Sequence, residues 1–323
     1  MPAAAEPGLA IIVVNYGSHS LLESNLVRVS AENPDADVIV VDNFHSSAER
    51  DAVSALCSAR HWTLLPSDTN AGFGAGMNRG VSAASARGNG LFLLLNPDAW
   101  IDARSVDLLI DEAARQPLAL IAPTIVTPTG AVWFAGADLH LHAGRSRATR
   151  HRPAHPKERF EPWLSGACLL VSRELWNRIG GFDERYFLYW EDIELSVRAV
   201  KSGGRLVLVD DARAVHDEGG THDGEAHRSQ SRSKSSVYYH YNVRNRLLFA
   251  AQHLDAKDRR RWLLNSPLAA WDVLLQGGRR QFLHSLAPLR AALTGTTAGL
   301  ALYARERRST PVDSTRPHGR KTD

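Results

Sequence analysis

The first hundred residues alternate short apolar runs with helix-like segments, and this alternation limits the choice of fold more than any other feature. Four runs are strand-sized and rich in aliphatic residues: LAIIVV (9–14), DVIVVDN (37–43), WTLLPS (62–67) and LFLLLNPDAW (91–100). Unbroken apolar runs are typical of strands buried on both faces of a sheet. The intervening and following helix-like segments are 20–31, 47–60, 70–86 and 104–116. The pattern predicts an α/β fold with a mostly parallel central sheet flanked by helices.

Polar residues stand where these apolar strands end. They are Asn15, Asp42, Asn43, Asn96 and Asp98. Parallel strands present their carboxyl ends on one edge of a sheet, and ligands bind at that edge. Since a loop acid could stand anywhere on the surface, this grouping predicts a ligand site there.

After about residue 118 the pattern becomes less regular. Strands are predicted in IAPTIV, GAVWFAGA and GRLVLVD (204–210), and SGACLLVSRELWNRIGGFDE (165–184) indicates a strand, a helix and a double-glycine stop. The His- and Arg-rich segment 140–160 predicts a mobile loop, and the polar segment 216–236 a flexible one. We therefore expect a globular domain over 8–236, a basic amphipathic helical region over 237–308 and a disordered tail over 309–323.

Charge is unevenly distributed along the 323 residues. The segment from Arg228 to Asp323 has 18 Lys and Arg against 6 Asp and Glu, whereas the first 227 residues have 20 against 29. A basic C-terminal region suggests an anionic partner, either nucleic acid or a lipid surface. No basic leader precedes an apolar stretch, and no apolar run approaches the roughly 18 residues of a membrane span. The two cysteines, Cys57 and Cys168, are expected to be free thiols in a reducing cytosol.

Two loops leave a structural and a functional interpretation open. NAGFGAGMNRG has a G-x-G-x-G pattern after the third strand, which matches the dinucleotide-binding fingerprint poorly. Its glycines would either let the backbone approach a phosphate or pack a helix closely on the sheet. In LNPDAW, Asn96 and Asp98 could hold Mg²⁺ or Mn²⁺ together with a substrate diphosphate, or simply form a turn.

The stretch YFLYWEDIELSVRA (186–199) raises the sharpest question of function. Helical periodicity puts Trp190, Ile193, Val197 and Val200 on one apolar face, with the pair Glu191–Asp192 pointing away and Glu194 near the border. Acids in a first helical turn are stabilised by the helix dipole without any catalytic role. Aromatic neighbours, however, can desolvate a carboxylate and raise its proton affinity, as a general base requires. A lone histidine such as His216, after the next strand, is more often structural than a ligand.

The order of these motifs resembles that of the inverting family 2 glycosyltransferases, which have the GT-A fold. The chain looks most like bacterial rhamnosyltransferases that use dTDP-L-rhamnose, especially the actinobacterial type that acts on polyprenyl-diphosphate-linked GlcNAc. The resemblance extends over residues 8–250 and is most specific over 165–198.

The resemblance implies a role for each matching residue. Asp192 would be the general base, with Glu191 as an orienting partner, and Asp98 and His216 would bind a divalent metal, Mg or Mn. The nucleotide-sugar would contact Asn15, Tyr16, Asp42, Asn43, Asn70, Gly72, Gly74, Asn78 and Asn96. The acceptor side would comprise Trp163, Gly166, Ala167 and Trp190. Asn96 departs from the first acid of the family's D-x-D element, which puts a metal or ribose contact at that position in doubt.

The resemblance also implies partners and a location. A nucleotide-sugar donor and a lipid-linked or glycan acceptor are expected, in cell-wall or surface-glycan synthesis. The basic C-terminal helices would contact the membrane peripherally at its cytoplasmic face, or else pack on the core as an ordinary subdomain. A homo-oligomer is left open. Three rivals remain: a UDP-sugar donor such as UDP-galactofuranose, a non-catalytic scaffold, and a nucleic-acid-binding protein, which the strand-end acids disfavour.

Overall fold

The computed structural model describes residues 7–217 and 234–309. The chain divides into two compact units, Met1–Ser231 and Arg232–Asp323. The predicted flexible loop at 216–236 and the predicted tail at 309–323 lie almost wholly outside the described residues.

The strands of the described residues all belong to the first unit. They are β1 (Leu9–Asn15), β2 (Asp37–Asp42), β3 (Thr63–Pro66), β4 (Leu91–Leu95), β5 (Ala99–Ile101), β6 (Ala119–Val126), β7 (Val132–Phe134), β8 (Ala137–His140), β9 (Arg145–Ala148), β10 (Phe160–Trp163), β11 (Cys168–Ser172) and β12 (Arg205–His216).

Helices flank these strands and make up most of the second unit. They are α1 (His19–Leu21), α2 (Val27–Glu32), α3 (Ser47–Arg60), α4 (Phe73–Ala86), α5 (Ala103–Arg115), α6 (Arg173–Ile179), α7 (Glu191–Lys201), α8 (Ser236–His253), α9 (Ala256–Leu264), α10 (Ser266–Leu275) and α11 (Ala287–Ser309). A π-helical turn, Leu22–Leu26, joins α1 to α2.

Nine of the described strands form the central sheet, in the order β3-β2-β1-β4-β11-β6-β12-β5, with β7 paired to β6. The predicted parallel arrangement holds for β3, β2, β1 and β4, and again for β6 with β12. In contrast, β11 is antiparallel to both of its neighbours, and β5 and β7 pair antiparallel at the periphery. The fold is thus a mixed α/β architecture whose core strands are buried on both faces.

The C-terminal edge of the sheet is extended by a bulge in β12. The sequence predicts a strand that ends at residue 210, where two aspartates interrupt the apolar run. Instead, the register with β6 shifts between Val209 and Arg213, and pairing then resumes to Val215 opposite Val126. The bulge accommodates the polar residues without ending the strand. It thereby delivers His216, which pairs with Ala99 of β5, to the edge where β1, β2 and β4 end.

Part of the segment 140–160, predicted to be a mobile loop, has regular structure. Strand β9 and a 3-10 helix, Thr149–Ala154, lie within it, and β8 and β10 flank it in a second, antiparallel sheet of order β10-β8-β9. Its buried polar groups are paired: Arg152 donates to Asp138 at 2.7 Å, and His140 Nδ1 lies 2.7 Å from Glu158. These partners are 14 and 18 residues apart, so a local polarity pattern does not reveal them.

The glycines of the NAGFGAGMNRG motif pack helix α4 on the sheet. A Cβ added at Gly76 would lie 2.7 Å from Val14 Cγ2, and one at Gly80 would lie 2.3 Å from Ile12 Cγ2. Both distances are too short for a real methyl group, so α4 approaches β1 closely only because side chains are missing there. This supports the packing interpretation of the motif for its second half.

The second unit is a helical assembly with its own small core. Tyr239 and Val243 of α8 pack with Leu274 of α10 and with two alanines of α11. Gly295 and Gly299, four residues apart on α11, bring that helix against the backbone of α8, since added Cβ atoms would lie 2.3 Å and 2.9 Å from carbonyl oxygens of α8. No helix within the described ranges is long and apolar enough to span a membrane.

Candidate active site

The candidate site lies at the edge of the sheet where β1, β2, β4 and β12 end. Strand β11 begins at the same edge, because Cys168 pairs with Leu95 in the antiparallel register. The segment before it therefore meets the loop after β4, and the Asn96 N–H donates to the Ala167 carbonyl at 3.0 Å. The fold thus brings together the strand-end residues and the acceptor-side segment that the sequence singles out.

The strand-end residues of β1 and β2 are engaged with the protein itself. The Asn15 side chain donates to Asp42 Oδ1 at 3.2 Å, and Arg50 Nε donates to Asp42 Oδ2 at 2.5 Å. Asn43 donates to the Gly72 carbonyl at 3.0 Å, while its buried Oδ1 has no hydrogen-bond partner within the described residues. Asn15, Asp42 and Asn43 form a buried polar layer. Their direct contact with a nucleotide stays a prediction.

The neighbouring Tyr16 is different, because its side chain is 45% exposed. Its ring packs edge-on against His45 at a centroid distance of 5.0 Å. An exposed aromatic face at the carboxyl end of β1 is available to stack on a base, as the sequence-based assignment requires.

The turn before α4 supports the loop that precedes α7, the helix that carries the acid pair. The Gly72 N–H donates to Asn70 Oδ1 at 2.9 Å, and the Phe73 N–H donates to the Phe187 carbonyl at 2.8 Å. Gly72 has φ +91°, and an added Cβ would lie 2.4 Å from that carbonyl oxygen, while one at Gly74 would lie 2.9 Å from Phe182 Cβ. Gly72 and Gly74 therefore face protein atoms in the structure.

Asn78, one turn further along α4, has the same supporting function. Its amide donates to the Phe182 carbonyl at 2.9 Å and to Glu184 at 3.0 Å, and its carbonyl oxygen accepts from the Phe182 N–H at 2.8 Å. The Asn78 side chain therefore holds the segment after the double glycine in place by hydrogen bonds. Nucleotide contacts for Asn70, Gly72, Gly74 and Asn78 thus stay predictions, whereas their structural contacts are visible.

Backbone strain is concentrated immediately before α7. Among the described residues, four non-glycine residues have positive φ, and three of them are Phe187 (60°), Tyr189 (65°) and Trp190 (73°). Each such conformation costs on the order of 1 kcal/mol and persists only where the surroundings enforce it. Trp190 is the N-cap of α7, so the strained turn directly sets the direction of Glu191 and Asp192.

The carboxyl of Asp192 is held by backbone donors. Its Oδ2 accepts from the Gly166 N–H at 3.1 Å, and its Oδ1 accepts from the Ile193 N–H at 2.8 Å. Burial raises the pKa of Asp192 to about 6, although these two N–H groups favour the ionised form. The Gly166 backbone lies close to Asp192 and Phe73, and a Cβ added there would contact both residues.

The neighbouring Glu191 is 8% exposed, and its Oε2 has no hydrogen-bond partner among the described residues. Burial, followed by the charge of Asp192, raises the pKa of Glu191 to about 8. The two adjacent carboxyls titrate together, and burial raises the pKa of both. A carboxylate whose pKa is raised towards working pH is suited to proton abstraction.

Glu194 has a structural role. Its carboxylate is buried and pairs with Arg198 Nε at 2.5 Å, one turn along α7. Arg198 also donates to the carbonyl of Gly181 at 2.7 Å, which ties the helix to the double-glycine turn. The predicted apolar face is wrong at Val200, which is 37% exposed, whereas Leu195 and Ala199 are fully buried.

Asp98 and His216 form a second buried pair at this edge. Asp98 Oδ1 lies 3.1 Å from His216 Nε2, with side chains 3% and 8% exposed. His216 Nδ1 is buried without a hydrogen-bond partner in the described residues, and its ring packs on Trp133 at 4.6 Å. Asn96, two residues before Asp98, is half-buried.

A carboxylate beside an imidazole fits a divalent metal, and it suits Mn²⁺ better than Mg²⁺, which takes oxygen ligands almost exclusively. No cluster of three or more His, Cys, Asp or Glu side chains with metal-binding geometry occurs in the described ranges. Phosphate oxygens of a bound substrate would be further ligands of such a metal.

Sequence reasoning missed part of this site. Trp133 packs on His216, and Phe134 packs on Trp163 at 5.0 Å, so β7 joins the Asp98–His216 pair to β10. A signal was available in the sequence, because Trp133 and Phe134 are adjacent in a short strand. Two neighbouring aromatics in so short a strand indicate aromatic surface that a ligand could contact.

Comparison with known proteins agrees with this geometry. The family model described as "Glycosyltransferase like family 2" matches residues 7–246, about three quarters of the chain. The chain belongs to glycosyltransferase family 2. It is a glycosyltransferase whose acid pair, strand-end residues and aromatic cluster all lie within the matched region.

Named relatives are glycan-synthesis enzymes. The N-acetylglucosaminyl-diphospho-decaprenol L-rhamnosyltransferase of Mycobacterium tuberculosis is 32% identical over 234 residues, covering 64% of this chain and 75% of the relative. The rhamnosyltransferase WbbL of Escherichia coli is 24% identical over 224 residues, covering 64% and 82%.

Solved structures share the fold. The mannosyltransferase PcManGT of Pyrobaculum calidifontis, in complex with GDP-Man and Mn²⁺, aligns with a TM-score of 0.54 at 17% identity, covering 94% of this chain and 83% of that one. GalNAc-T7 with UDP, GalNAc and Mn²⁺ aligns with a TM-score of 0.55 at 12% identity, covering 86% and 58%. These glycosyltransferases confirm the predicted GT-A fold.

The raised pKa of Glu191 predicts a pH-dependent stability difference. A carboxyl whose pKa is higher in the folded chain contributes its full stability below the unfolded value of 4.5 and loses it as pH rises through about 8. Glu191→Gln stays neutral, so the variant should match the wild type at pH 4.5 and be more stable by about 1–3 kcal/mol at pH 8.5. Chemical denaturation at both pH values measures this. The exposed control Glu174→Gln should show no such difference, and equal stability of Glu191→Gln and wild type at pH 8.5 would contradict the assignment.

Proposed function

We propose that this glycosyltransferase transfers L-rhamnose from dTDP-L-rhamnose, with inversion, to a hydroxyl of a polyprenyl-diphosphate-linked GlcNAc. The rhamnosyl group and the acceptor are supported by the name of the relative from M. tuberculosis, which is 32% identical over an alignment that covers 75% of that relative. The single structural observation that supports inverting transfer is the half-buried Asp192, whose carboxylate is held by the Gly166 and Ile193 N–H groups.

The chain's own residues suggest how the transfer proceeds. Asp192 takes the proton of the acceptor hydroxyl, and the resulting nucleophilic oxygen attacks the anomeric carbon on the face opposite the nucleoside diphosphate. The bond from that carbon to the diphosphate oxygen breaks, and the leaving group departs with the electron pair. Burial, followed by the charge of Asp192, raises the pKa of Glu191, which disfavours a second negative charge beside the base.

Asp98 and His216 are the residues that would hold a divalent metal. When bound, the metal would neutralise charge on the leaving diphosphate. Asn96 carries no charge and cannot replace an acid, but a side-chain amide can donate a hydrogen bond to a phosphate or ribose oxygen.

The test of this function uses purified full-length protein with a short-chain prenyl-diphosphate GlcNAc acceptor. dTDP-L-rhamnose, UDP-galactofuranose and UDP-GlcNAc are offered separately with Mn²⁺ or Mg²⁺, and products are identified by mass. Formation of a rhamnosyl product from dTDP-L-rhamnose alone supports the proposal. Transfer from a UDP-sugar would instead establish the alternative donor on the same site. No transfer from any donor would favour the scaffold interpretation.

The second unit offers a surface for the peripheral membrane contact that a lipid-linked acceptor needs. Eight of the twelve exposed large hydrophobic residues in the described ranges lie between 264 and 300, with Leu283 81% exposed and Leu268 67% exposed. Exposed arginines, including Arg260, Arg279, Arg280 and Arg290, lie among them in sequence. Apolar side chains interspersed with cations are typical of helices in the interface of an anionic membrane. This surface supports our proposal that the enzyme contacts the membrane peripherally, at the cytoplasmic face expected from its sequence.

Loss of apolar surface should release the protein from lipid. Leu283→Gln with Leu286→Gln is expected to reduce sedimentation with phosphatidylglycerol vesicles by at least tenfold, because two exposed leucines no longer enter the interface. Val132→Gln, at an apolar position of the first unit that is 55% exposed against 57% for Leu286, is the control and should sediment like the wild type. If the double variant still sediments fully at low salt, the membrane surface lies elsewhere and the packed-subdomain interpretation is favoured.

A further inference from the structure

An open groove lies beside the Asp98–His216 pair, between β7, β9 and β10. It has a volume of about 260 Å³ and is lined by Trp133, Phe134, Ser146, Arg147, Arg150 and Trp163 among others. The Trp163 ring is fixed in place, because its Nε1–H donates to Ser146 Oγ at 2.9 Å. The groove therefore combines oriented aromatic rings with cationic side chains.

The charge of the groove favours an anionic ligand. Two of its lining residues are arginines and none is acidic. Arg147 shares its charge with Glu158 at 3.2 Å, whereas Arg150 is exposed and makes no ion pair or hydrogen bond with any described residue. Guanidinium groups bind phosphate oxygens in a bidentate manner, so a phosphate or diphosphate is the group that Arg150 would take.

The aromatic rings favour a sugar next to that phosphate. Indole and phenyl faces pack on the apolar face of a pyranose, and a ligand site lined by aromatics with a few polar groups is the usual composition for small polar ligands. Phe134 and Trp163 are 5.0 Å apart, with ring planes tilted by 52°, which leaves neither ring fully covered by the other. A sugar diphosphate could therefore pack its sugar on the aromatic rings and bind the arginines with its phosphates.

The groove is close to the reacting groups on both sides. Trp133 packs on His216 at 4.6 Å. Trp163 precedes Gly166 by three residues, a span of at most about 11 Å, and Gly166 donates to Asp192. In addition, the Leu164 N–H donates to Ser196 of α7 at 3.1 Å, so the end of β10 is attached to the catalytic helix.

The donor nucleotide is expected on the other side of the site. The exposed Tyr16 stands at the end of β1, and the groove begins at β7, which pairs with β6. Three strand spacings separate β1 from β6, roughly 14 Å at about 4.8 Å each. A nucleotide stacked at β1 would not fill the groove, which leaves it for the second substrate.

We infer that this groove is the binding site for the sugar diphosphate of the acceptor, with Arg150 and Arg147 on the diphosphate and Trp163, Phe134 and Trp133 on the sugar. The inference rests on the proposed function for the identity of the acceptor, and it adds the residues that select it. Arg150 acts as a specificity-determining residue for an acceptor that carries a diphosphate rather than a neutral glycoside.

The test compares two acceptors in wild type, Arg150→Ala and the control Arg104→Ala, an exposed arginine on α5 away from the groove. One acceptor is a short-chain prenyl-diphosphate GlcNAc, and the other is the uncharged alkyl GlcNAc glycoside. Loss of a charge-assisted contact should raise KM for the diphosphate acceptor by about 10- to 100-fold in Arg150→Ala. KM for the donor, kcat and the KM for the neutral glycoside should stay within twofold. Arg150→Lys should recover part of the loss, and Arg104→Ala should behave like wild type.

Calorimetric titration with the diphosphate acceptor alone separates this inference from the proposed function. Wild type should bind the probe, and Arg150→Ala should bind it at least tenfold more weakly. That result supports the groove even where dTDP-L-rhamnose is not the donor, in which case only the proposed function fails. No binding to wild type, equal binding to both proteins, or an equal rise in KM for the charged and neutral acceptors would overturn the inference.

Discussion

Asp192→Asn is expected to lower the transfer rate by about 10²- to 10⁴-fold while nucleotide binding persists. An amide cannot take the proton of the acceptor hydroxyl, and general base catalysis contributes a factor of this size. The substitution preserves side-chain volume, and one of the two N–H donors, Gly166 or Ile193, keeps an oxygen to bind. Steady-state kinetics with saturating donor and acceptor measures kcat, and thermal stabilisation by the nucleoside diphosphate measures binding.

Glu194→Gln is the matched control for this experiment. It changes an acid two residues further along α7 that pairs with Arg198, so stability should fall while kcat of the folded enzyme stays within about twofold. The pKa of Asp192, raised by burial to about 6, further predicts that kcat/KM in wild type rises with pH through about 6. An Asp192→Asn variant that turns over at more than a tenth of the wild-type rate would remove Asp192 from the role of base.

The N-terminal half of the sheet was predictable because its strands are buried on both faces. Continuous aliphatic runs show such burial directly, and their polar ends mark the edge at which the site is built. The direction of β11 was not predictable in the same way. Its sequence CLLVS is compatible with either direction, and only the pairing of Cys168 with Leu95 makes it antiparallel. That direction is what brings Gly166 and Ala167 to the catalytic edge.

The role of a candidate residue could be predicted more easily when its contacts lie close to it in the sequence. The acid pair Glu191–Asp192 is a local signal, because two acids follow directly on a run of aromatics. The choice of Asp192 as the base came from the family resemblance and stays a prediction. The function of Asn78 could not be predicted, because it contacts Phe182 and Glu184, more than a hundred residues away. The sequence pattern is the same whether a glycine motif supports a strained loop or approaches a phosphate. Here only the contact of Gly72 with Phe187 shows that the motif supports the loop.

Asp98→Ala is expected to abolish the metal-dependent part of nucleoside-diphosphate binding. The carboxylate is 3% exposed, and its removal leaves His216 as the single protein ligand of the pair. Stabilisation of the folded protein by the nucleotide depends on affinity by mass action, so the extra rise in Tm that Mn²⁺ gives to wild type should disappear. Loss of charge stabilisation at the leaving group should also lower kcat/KM by on the order of 10³-fold.

Asp102→Ala distinguishes a metal ligand from a merely structural acid. Asp102 stands four residues after Asp98 and caps α5, accepting from the Ser105 N–H at 2.7 Å. Its removal should lower the free energy of unfolding by about 1 kcal/mol but leave the Mn²⁺-dependent rise in Tm intact. His216→Ala should instead behave like Asp98→Ala, because the two side chains act on the same ligand from β12 and the loop after β4. If Asp98→Ala and Asp102→Ala both keep the Mn²⁺-dependent shift, the buried Asp98–His216 pair stabilises the edge of the sheet and the metal is bound by other groups.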